Sequence, residues 1–368
     1  MSEQLRQLIV QEIERAGGWL SFRRYMELAL YAPGLGYYMA GARRLGPDGD
    51  FVTAPEISRL FGLTLTRQLE QLSTLGLGEI LEIGAGSGAL AADILLGLER
   101  ASCVPSRYLI LELSPDLRDR SRDTLAARAP HLLERVAWLN RLPPAFTGTV
   151  IGNEVLDAMP VHLFERGDHG VVELGVSLEG GAFSWSERVT EDSGRVDADC
   201  FPASGYRSEV QLVARAFTRS VAASLTRGVI LFIDYGFPRR EYYHPQRVEG
   251  TLMCHYRHRA HGDPFFLPGL QDITSHIDFS GIANAAKDAG LDLLGYTNQA
   301  QFLVNCGITD VLGETSPEDV AAYAPLAAQA QKLLSPAEMG EIFKVIALGK
   351  GVPDSLIGFA QGDRKRAL

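Results

Sequence analysis

The fold is decided by one stretch of sequence, Glu79-Ile80-Leu81-Glu82-Ile83-Gly84-Ala85-Gly86-Ser87-Gly88. A short apolar run ends in three alternating glycines, and a helix-forming segment, Ala89 to Arg100, follows directly. Glycine suits a tight turn because it has no Cβ that would resist positive φ or hold a ligand away from the backbone. The pattern therefore predicts a strand, a glycine turn and a helix whose first N–H groups face a ligand.

Two cofactors are compatible with these glycines. Gly84, Gly86 and Ala89 satisfy the G-x-G-x-x-A pattern of a dinucleotide site. Glu82 with Gly84, Gly86 and Gly88 satisfies E-x-G-x-G-x-G, which resembles motif I of the class I S-adenosylmethionine (SAM) methyltransferases. The resemblance implies that Glu82 faces the positively charged amino-acid part of SAM, whereas a carboxylate there would repel a pyrophosphate. SAM is therefore favoured over NAD, and a strand–helix turn without a ligand is the third interpretation.

The composition is ordinary for a soluble globular protein and argues against several functions. The 368 residues are 46% hydrophobic and 22% charged, and their net charge of −10 disfavours binding to nucleic acid. The four cysteines form no C-x-x-C pair, so we expect a reducing compartment, no disulfide framework and no cysteine zinc site. No stretch reaches the ~20 apolar residues of a membrane helix, and Met1 to Arg15 lacks the pattern of a cleavable signal. These features predict a cytoplasmic protein without a membrane span.

The first 75 residues are predicted to form helices and a long active-site loop. The apolar spacing from Leu5 to Ile13 predicts one helix, and a second begins after Ser21 and ends at Pro33-Gly34. Tyr31 to Pro55 has no regular pattern but is rich in aromatic residues, which predicts a lid or wall of the ligand site, with plain packing as the alternative. Ile57 to Leu75 is predicted to be the helix that leads into the glycine-turn strand.

Residues 76–350 are predicted to form an α/β core, a doubly wound sheet of seven strands with helices between them. The strands predicted after the first are 106–112, 136–139, 149–154, 228–234, 291–297 and 343–350. Insertions are expected at about 161–205 and at 235–278. In the first, Val161 to about Glu187 is predicted to form an antiparallel hairpin with a turn at Gly180-Gly181, and the second is predicted to be a loop. Helices are predicted over Glu209 to Thr226, 279–289, 298–306 and most of 316–339, with a tail over 351–368.

The cofactor contacts are predicted at the carboxyl ends of the strands, where an open parallel sheet binds its ligands. Glu112 ends the second strand and can accept both ribose hydroxyls, with an exposed strand-end acid as the alternative. Leu139 and Asn140 end the third strand, where an adenine would lie. The predicted cofactor contacts are Thr53, Pro55, Glu82, Gly84, Ala85, Gly86, Gly88, Glu112, Leu113, Leu139 and Asn140.

The catalytic candidates follow the fourth strand, which should lie beside the first at the topological switch of the sheet. Asn153, Glu154 and Asp157 are therefore expected to face the reacting methyl group. Methyl transfer from a sulfonium is an in-line displacement, so the protein must hold the nucleophile, methyl and sulfur in line. If the acceptor is a guanidinium, carboxylates such as Glu154 and Asp157 orient it through paired hydrogen bonds. The alternative for Glu154 is a structural or helix-capping acid.

Three histidines at a spacing of three residues, His255, His258 and His261, form a further candidate cluster. A zinc site would need these imidazoles to converge on one point, and the neighbouring Arg257 and Arg259 would oppose a cation. A hydrogen-bonded functional loop is favoured, surface histidines are the second interpretation, and no metal is expected.

Four motifs together point to one family. The segments GDFVTAPEIS (49–58), EIGAGSG (82–88), GNEVLDAMP (152–160) and LQDIT (270–274) look like those of the MidA family of SAM-dependent methyltransferases. The resemblance extends from Tyr31 to Lys350. It implies a class I fold, SAM as cofactor and a protein substrate, because the eukaryotic relatives are mitochondrial proteins that dimethylate an arginine of a respiratory complex I subunit during assembly. It also makes Glu154 similar in placement to the guanidinium-binding glutamate of arginine methyltransferases.

Three functions remain at this point. The favoured one is a SAM-dependent methyltransferase acting on protein arginine. A SAM-binding assembly factor that works mainly by binding a partner is the second, and an NAD-linked oxidoreductase is the third.

Overall fold

The chain forms two compact units, each assembled from three separate segments. The computed structural model describes residues 2–41, 53–353 and 355–368. The first unit comprises Met1–Phe51, Leu156–Ala216 and Phe237–Gly281, and the second comprises Val52–Val155, Phe217–Gly236 and Ile282–Leu368. Within the described ranges, no helix combines the length and the apolar character needed to cross a membrane.

The regular elements of the described residues are twelve α-helices and sixteen strands. The helices are α1 (Ser2–Arg15), α2 (Phe22–Tyr31), α3 (Ala54–Ile57), α4 (Arg59–Thr74), α5 (Ala89–Arg100), α6 (Pro115–Arg128), α7 (Leu212–Ser224), α8 (Arg239–Tyr242), α9 (Phe279–Asp288), α10 (Gln299–Asn305), α11 (Ile308–Gly313) and α12 (Val320–Leu334). The strands are β1 (Leu20–Ser21), β2 (Ile80–Ile83), β3 (Tyr108–Leu111), β4 (Val136–Leu139), β5 (Phe146–Asn153), β6 (His162–Gly167), β7 (Gly170–Glu179), β8 (Ala182–Arg188), β9 (Arg207–Val210), β10 (Leu225–Phe237), β11 (Met253–Tyr256), β12 (Arg259–His261), β13 (Asp272–Thr274), β14 (Ile277–Asp278), β15 (Asp292–Asn298) and β16 (Phe343–Lys350).

The second unit contains a mixed sheet in which seven strands follow the order β15-β16-β10-β5-β2-β3-β4. The five strands from β10 to β4 are parallel to their neighbours, and β16 runs antiparallel to both β10 and β15. The predicted α/β sheet of seven core strands is therefore confirmed. The order reverses where β2 meets β5, with Glu82 beside Ile151 and Ile83 beside Gly152. This reversal brings the glycine turn after β2 next to the end of β5.

The first unit is built on antiparallel strands. One sheet has the order β1-β7-β6-β9 with β8 also paired to β7, and a smaller sheet has the order β12-β11-β13. Apolar side chains of α1 and α2 pack with those of the larger sheet and with Cys254 and Ile273 of the smaller one. The hairpin predicted in 161–187 is thus too simple. The consecutive strands β6, β7 and β8 share the sheet with β1 and β9, which come from distant parts of the chain.

The predicted helix from Glu209 to Thr226 is wrong at both ends. Its first residues belong to β9, which pairs with β6, and α7 occupies only Leu212–Ser224 before β10 begins. The buried carboxylate of Glu209 accepts hydrogen bonds from the backbone N–H groups of Thr251 (3.0 Å) and Leu252 (2.9 Å). These partners are more than forty residues away in the chain, so local periodicity could not reveal them.

One predicted loop contains more regular structure than expected, and one predicted helix is interrupted. The loop predicted at 235–278 contains α8 and the three strands of the smaller sheet. The helix predicted from Ile57 to Leu75 begins earlier and breaks at Ser58, whose extended backbone (φ −157°) separates α3 from α4 and whose hydroxyl accepts the N–H of Leu60. Of the long loop predicted from Tyr31 to Pro55, residues 42–52 lie outside the described part of the chain.

Residues after β16 pack onto the core of the second unit. Leu356 and Phe359 are buried there, and the ring of Phe359 meets Phe302 edge-on, with ring centroids 5.5 Å apart. Arg364, part of the basic run near the end, forms an ion pair with Glu341 at 2.7 Å.

Candidate active site

The glycine turn after β2 is closed by two backbone hydrogen bonds. The N–H of Gly84 donates to Leu111 O (2.9 Å), and the N–H of Gly88 donates to Ala85 O (2.8 Å). Gly84, Gly86 and Gly88 all have positive φ, of 67°, 54° and 82°. A Cβ on Gly88 would lie 2.8 Å from the Cα of Ser121, so neither the backbone angle nor the space there admits a larger residue. The sequence-based prediction of a tight turn that ends at the start of α5 is confirmed.

Glu82 lies inside the sheet beneath this turn. Its side chain is 2% exposed, and the hydroxyl of Tyr108 donates to its carboxylate at 2.6 Å. Burial raises the pKa of Glu82 to about 7, Tyr108 opposes this, and the nearby Glu112 adds to it. Burial and the Glu82 charge also raise the pKa of Tyr108 well above its usual value, so this hydroxyl remains a donor. Sequence reasoning missed Tyr108, although its place at the start of the neighbouring strand was the available signal.

The raised pKa of Glu82 predicts a pH dependence of stability. Because the folded state binds this proton more tightly than the unfolded state, ionisation destabilises the fold as the pH rises from about 4.5 to about 7. A pKa shift of this size corresponds to a loss of about 3 kcal/mol in the free energy of unfolding. Glu82→Gln should abolish this pH dependence while keeping a hydrogen-bond acceptor for Tyr108. Urea unfolding across this pH range measures the difference in unfolding free energy between the two proteins. A difference that stays constant from pH 4.5 to 7 would contradict the prediction.

Glu112 connects the end of β3 to the glycine turn. Its carboxylate accepts the N–H of Gly86 (3.3 Å) and the N–H of Ser114 (2.9 Å). It is buried, and burial raises its pKa although the backbone N–H groups oppose this. The alternative of an exposed strand-end acid is therefore wrong. The adjacent Leu113, in contrast, is 65% exposed.

Several side chains at the end of β4 are linked by hydrogen bonds. The guanidinium of Arg118 donates to Asn140 Oδ1 and to Trp138 O, and Leu139 between them is half-buried. The indole N–H of Trp138 donates to Ser121 Oγ at 2.9 Å. Arg118 and Trp138 were not predicted as site residues, because their closeness to Asn140 depends on how α6 packs beside β4.

Glu154 stands at the end of β5 in an unusual backbone conformation. Its φ is 51°, which non-glycine residues adopt rarely and mostly where surrounding contacts enforce it. Its N–H donates to Ile233 O of β10 at 2.8 Å. Its Oε1 accepts the side-chain amide of Asn153 (3.2 Å) and the N–H of Ala54 (3.4 Å). The carboxylate is thus held in place from two sides.

The short helix α3 brings Thr53 and Pro55 to this site. Ala54 of α3 contacts Glu154, and Ser87 of the glycine turn donates a hydrogen bond to Glu56. One segment therefore contacts both the glycine turn and the end of β5, as a wall of a ligand site would. Glu56 and Ser87 were missed, because no sequence pattern links residues thirty positions apart.

Asp157 and the three histidines lie in the first unit. Asp157 is buried, and its backbone carbonyl accepts the N–H of Ser275 at 3.1 Å. His255 and His261 lie on the paired strands β11 and β12, and His258 lies in the turn between them with a φ of 60°.

Among the described residues, one group of side chains lies close enough together to hold a metal ion: His162, Glu173 and Asp192. The Nδ1 atom of His162 lies 2.8 Å from Glu173 Oε1 and 3.8 Å from Asp192 Oδ2. Thr190 donates to the second oxygen of Glu173 at 2.6 Å. These contacts describe a buried hydrogen-bonded histidine–carboxylate pair.

The second unit fits a nucleotide-like ligand. Three of the five residues from Gly84 to Gly88 are glycines without a Cβ, and they precede the N-terminus of α5, where backbone N–H groups are available. The buried Oδ1 of Asn153 has no hydrogen-bond partner among the described residues, and such an atom is costly unless a ligand or water satisfies it. Both features lie where β2 and β5 meet, the point at which open α/β sheets bind ligands.

A sheet of this order, with an acid, a glycine turn and a second acid on adjacent strands, defines the fold of a class I SAM-dependent methyltransferase. A family model described as an S-adenosyl-L-methionine-dependent methyltransferase matches residues 60–297. The chain belongs to this family, the MidA family of SAM-dependent methyltransferases, and its cofactor is SAM. The NAD-linked alternative is therefore wrong.

Solved structures and named relatives agree with this assignment. A crystal structure of a protein from Burkholderia thailandensis bound to S-adenosyl-homocysteine is 52% identical, with a TM-score of 0.97, and the match covers 100% of this chain and 97% of that one. A native structure from the same organism is 51% identical, with a TM-score of 0.94 and the same coverage. The protein arginine methyltransferase NDUFAF7, mitochondrial, from Danio rerio is 27% identical over 90% of this chain and 84% of its own. The protein of the same name from Mus musculus is 29% identical over 91% of this chain and 82% of its own length.

Proposed function

We propose that this methyltransferase transfers the methyl group of SAM to the guanidinium of an arginine side chain in a protein. The observation that carries the proposal is the fixed carboxylate of Glu154 at the end of β5, held by Asn153 and by the N–H of Ala54. Relatives that align with about nine-tenths of the chain are named protein arginine methyltransferases, which supports the same acceptor.

The chemistry required of the protein is positioning. Bound SAM supplies an electrophilic methyl group on a positively charged sulfur. A guanidinium nitrogen must approach that methyl group in line, and a carboxylate that accepts its N–H groups both orients it and stabilises its charge. Glu154 has this role in the proposal, and Asn153 and Asp157 are proposed to assist it.

The cofactor contacts remain those proposed from the sequence. Glu82 and Glu112 supply the charged and acceptor groups, and the glycine turn supplies backbone N–H groups. Leu139 and Asn140 border the adenine. The full proposed set is Thr53, Pro55, Glu82, Gly84, Ala85, Gly86, Gly88, Glu112, Leu113, Leu139 and Asn140.

The acceptor protein is proposed to be a respiratory complex I subunit or its analogue, and the enzyme is proposed to act in the cytoplasm. Relatives named as mitochondrial protein arginine methyltransferases support this link to respiration. The four cysteines are all free thiols, which is compatible with a reducing compartment.

The test is labelled methyl transfer from SAM into a fractionated bacterial lysate, followed by mass spectrometry of the labelled protein. Methylation on arginine nitrogen supports the proposal. Methylation on lysine, on a carboxylate or on a small molecule would overturn the arginine assignment. Tight binding of S-adenosyl-homocysteine without transfer to any lysate fraction would instead favour an assembly factor that acts by binding a partner.

A further inference from the structure

A group of aromatic and acidic side chains gathers around Tyr38 in the first unit. The hydroxyl of Tyr38 donates to Asp272 Oδ1 at 3.0 Å, and its ring stacks on Tyr31 with the centroids 5.5 Å apart. The hydroxyl of Tyr31 donates in turn to Ala158 O at 2.9 Å, next to Asp157. We call Tyr31, Tyr38, Asp157, Asp272 and Thr274 the Tyr38 cluster. It contains Asp272 and Thr274 of LQDIT, a sequence motif to which the proposed function assigns no role.

The electrostatic field in this cluster is negative. Asp157 and Asp272 are only 6% and 2% exposed. Burial raises the pKa of Tyr38 well above its usual value, and the charges of Asp272 and Asp157 add to the shift. Burial also raises the pKa of Cys254 to about 12, with Asp272 again adding to it. Two buried carboxylates in one cluster therefore favour a cationic ligand.

Thr274 provides an independent sign of a ligand. Ile273 of β13 packs into the apolar cluster of the first unit, so Asp272 and Thr274, on either side of it, point to the opposite face. Thr274 is 3% exposed, and its Oγ1 has no hydrogen-bond partner among the residues described. A buried hydroxyl without a partner is destabilising, and a ligand that donates hydrogen bonds would satisfy it beside the carboxylate.

We propose that Tyr38, Asp157, Asp272 and Thr274 bind an arginine guanidinium of the acceptor protein. The inference rests on the proposed function, which supplies an arginine-bearing protein as acceptor. The cluster offers carboxylate and hydroxyl acceptors together with tyrosine ring faces, and a planar guanidinium uses both, through its N–H groups and by stacking.

The test uses the full-length protein saturated with S-adenosyl-homocysteine, and N-acetyl-arginine N-methylamide as the probe. Saturation-transfer NMR measures binding of the probe, with the citrulline analogue as its uncharged counterpart. The variant Asp272→Asn keeps Oδ1 as an acceptor for the hydroxyl of Tyr38 and for the N–H of Ile273, so the fold should survive while the charge is lost. Glu14→Gln removes an exposed carboxylate of the same unit and is the matched control.

We expect the arginine probe to bind and the citrulline analogue not to bind. Asp272→Asn should weaken probe binding about 30-fold or more, as the loss of one partner from a buried charge pair does, and Glu14→Gln should leave it unchanged. Tyr38→Phe, which keeps the ring, should weaken it less. Affinity for S-adenosyl-homocysteine, measured by calorimetry, should be the same in all four proteins.

The possible results distinguish a failure of the cluster assignment from a failure of the proposed function. Equal probe affinity in the parent protein and Asp272→Asn, or no binding to the parent, would overturn the assignment of the cluster. If methylated arginine is nevertheless found in the lysate experiment, the proposed function stands without it. Probe binding that depends on Asp272, with no methylated arginine found, would support the cluster as a guanidinium site and overturn the proposed reaction.

Discussion

A valine in place of Gly86 is expected to weaken the binding of S-adenosyl-homocysteine by about 4 kcal/mol, or roughly a thousandfold. Gly86 has a φ of 54°, which a β-branched residue adopts only at a cost of about 1–3 kcal/mol. Its N–H also donates to Glu112, so a changed turn would lose that contact as well. In addition, the branched side chain would stand where the backbone must approach the ligand closely. Isothermal titration calorimetry on the folded variant measures the loss.

The matched control for this variant is Gly180→Val. Gly180 has nearly the same φ, 57°, and lies in the turn between β7 and β8, where an added Cβ would have nothing within 4 Å. Both variants carry the same backbone strain, but only Gly86 belongs to the glycine turn after β2. The control should therefore lose stability without losing affinity. Normal affinity in folded Gly86→Val would remove the glycine turn from the cofactor site.

The second large effect is expected for Glu154→Gln, which should lower kcat for methyl transfer by about 10²–10⁴-fold while leaving S-adenosyl-homocysteine affinity unchanged. Removing the charge that pairs with a buried cation costs about 3–5 kcal/mol, and the amide would offer a guanidinium only one acceptor oxygen. The contacts from Asn153 and Ala54 to Oε1 can persist, so the site should keep its shape. Initial rates with the acceptor found by mass spectrometry measure the effect.

Glu134→Gln serves as the control, because Glu134 is an exposed carboxylate of the same unit. Its rates should match those of the parent protein. If Glu154→Gln retains full activity on that acceptor, Glu154 has no part in the reaction. A raised KM with unchanged kcat would reduce its role to binding.

The glycine turn and the strands around it could be predicted because their signals are local. Apolar runs of four to eight residues that end in glycine or an acid fix β2, β3 and β10, and Ser114 with Pro115 marks the start of α6. The placement of Glu112 near Gly86 follows from parallel pairing, which the alternation of strands and helices already implies.

The features that could not be predicted depend on distant partners. Glu209 has a helix-like neighbourhood, but residues Thr251 and Leu252 hold it in a strand. The break at Ser58 places Ala54 against Glu154, a hundred residues later. In the sequence, Tyr108 is an ordinary strand residue, and only the structure shows that its hydroxyl donates to Glu82. In each case the deciding contact is with a residue distant in the chain, which local sequence preference does not reveal.

The segmented construction of the first unit has a consequence for biosynthesis. Leu5 and Phe22 are buried together with Val176, Cys254 and Ile273, which are translated much later. At about 5–20 residues per second, a ribosome needs roughly 12–50 seconds to proceed from the first helix to the last of these partners. During that interval the nascent amino-terminal helices have apolar faces without their native neighbours, and such transiently exposed surface is prone to non-native association.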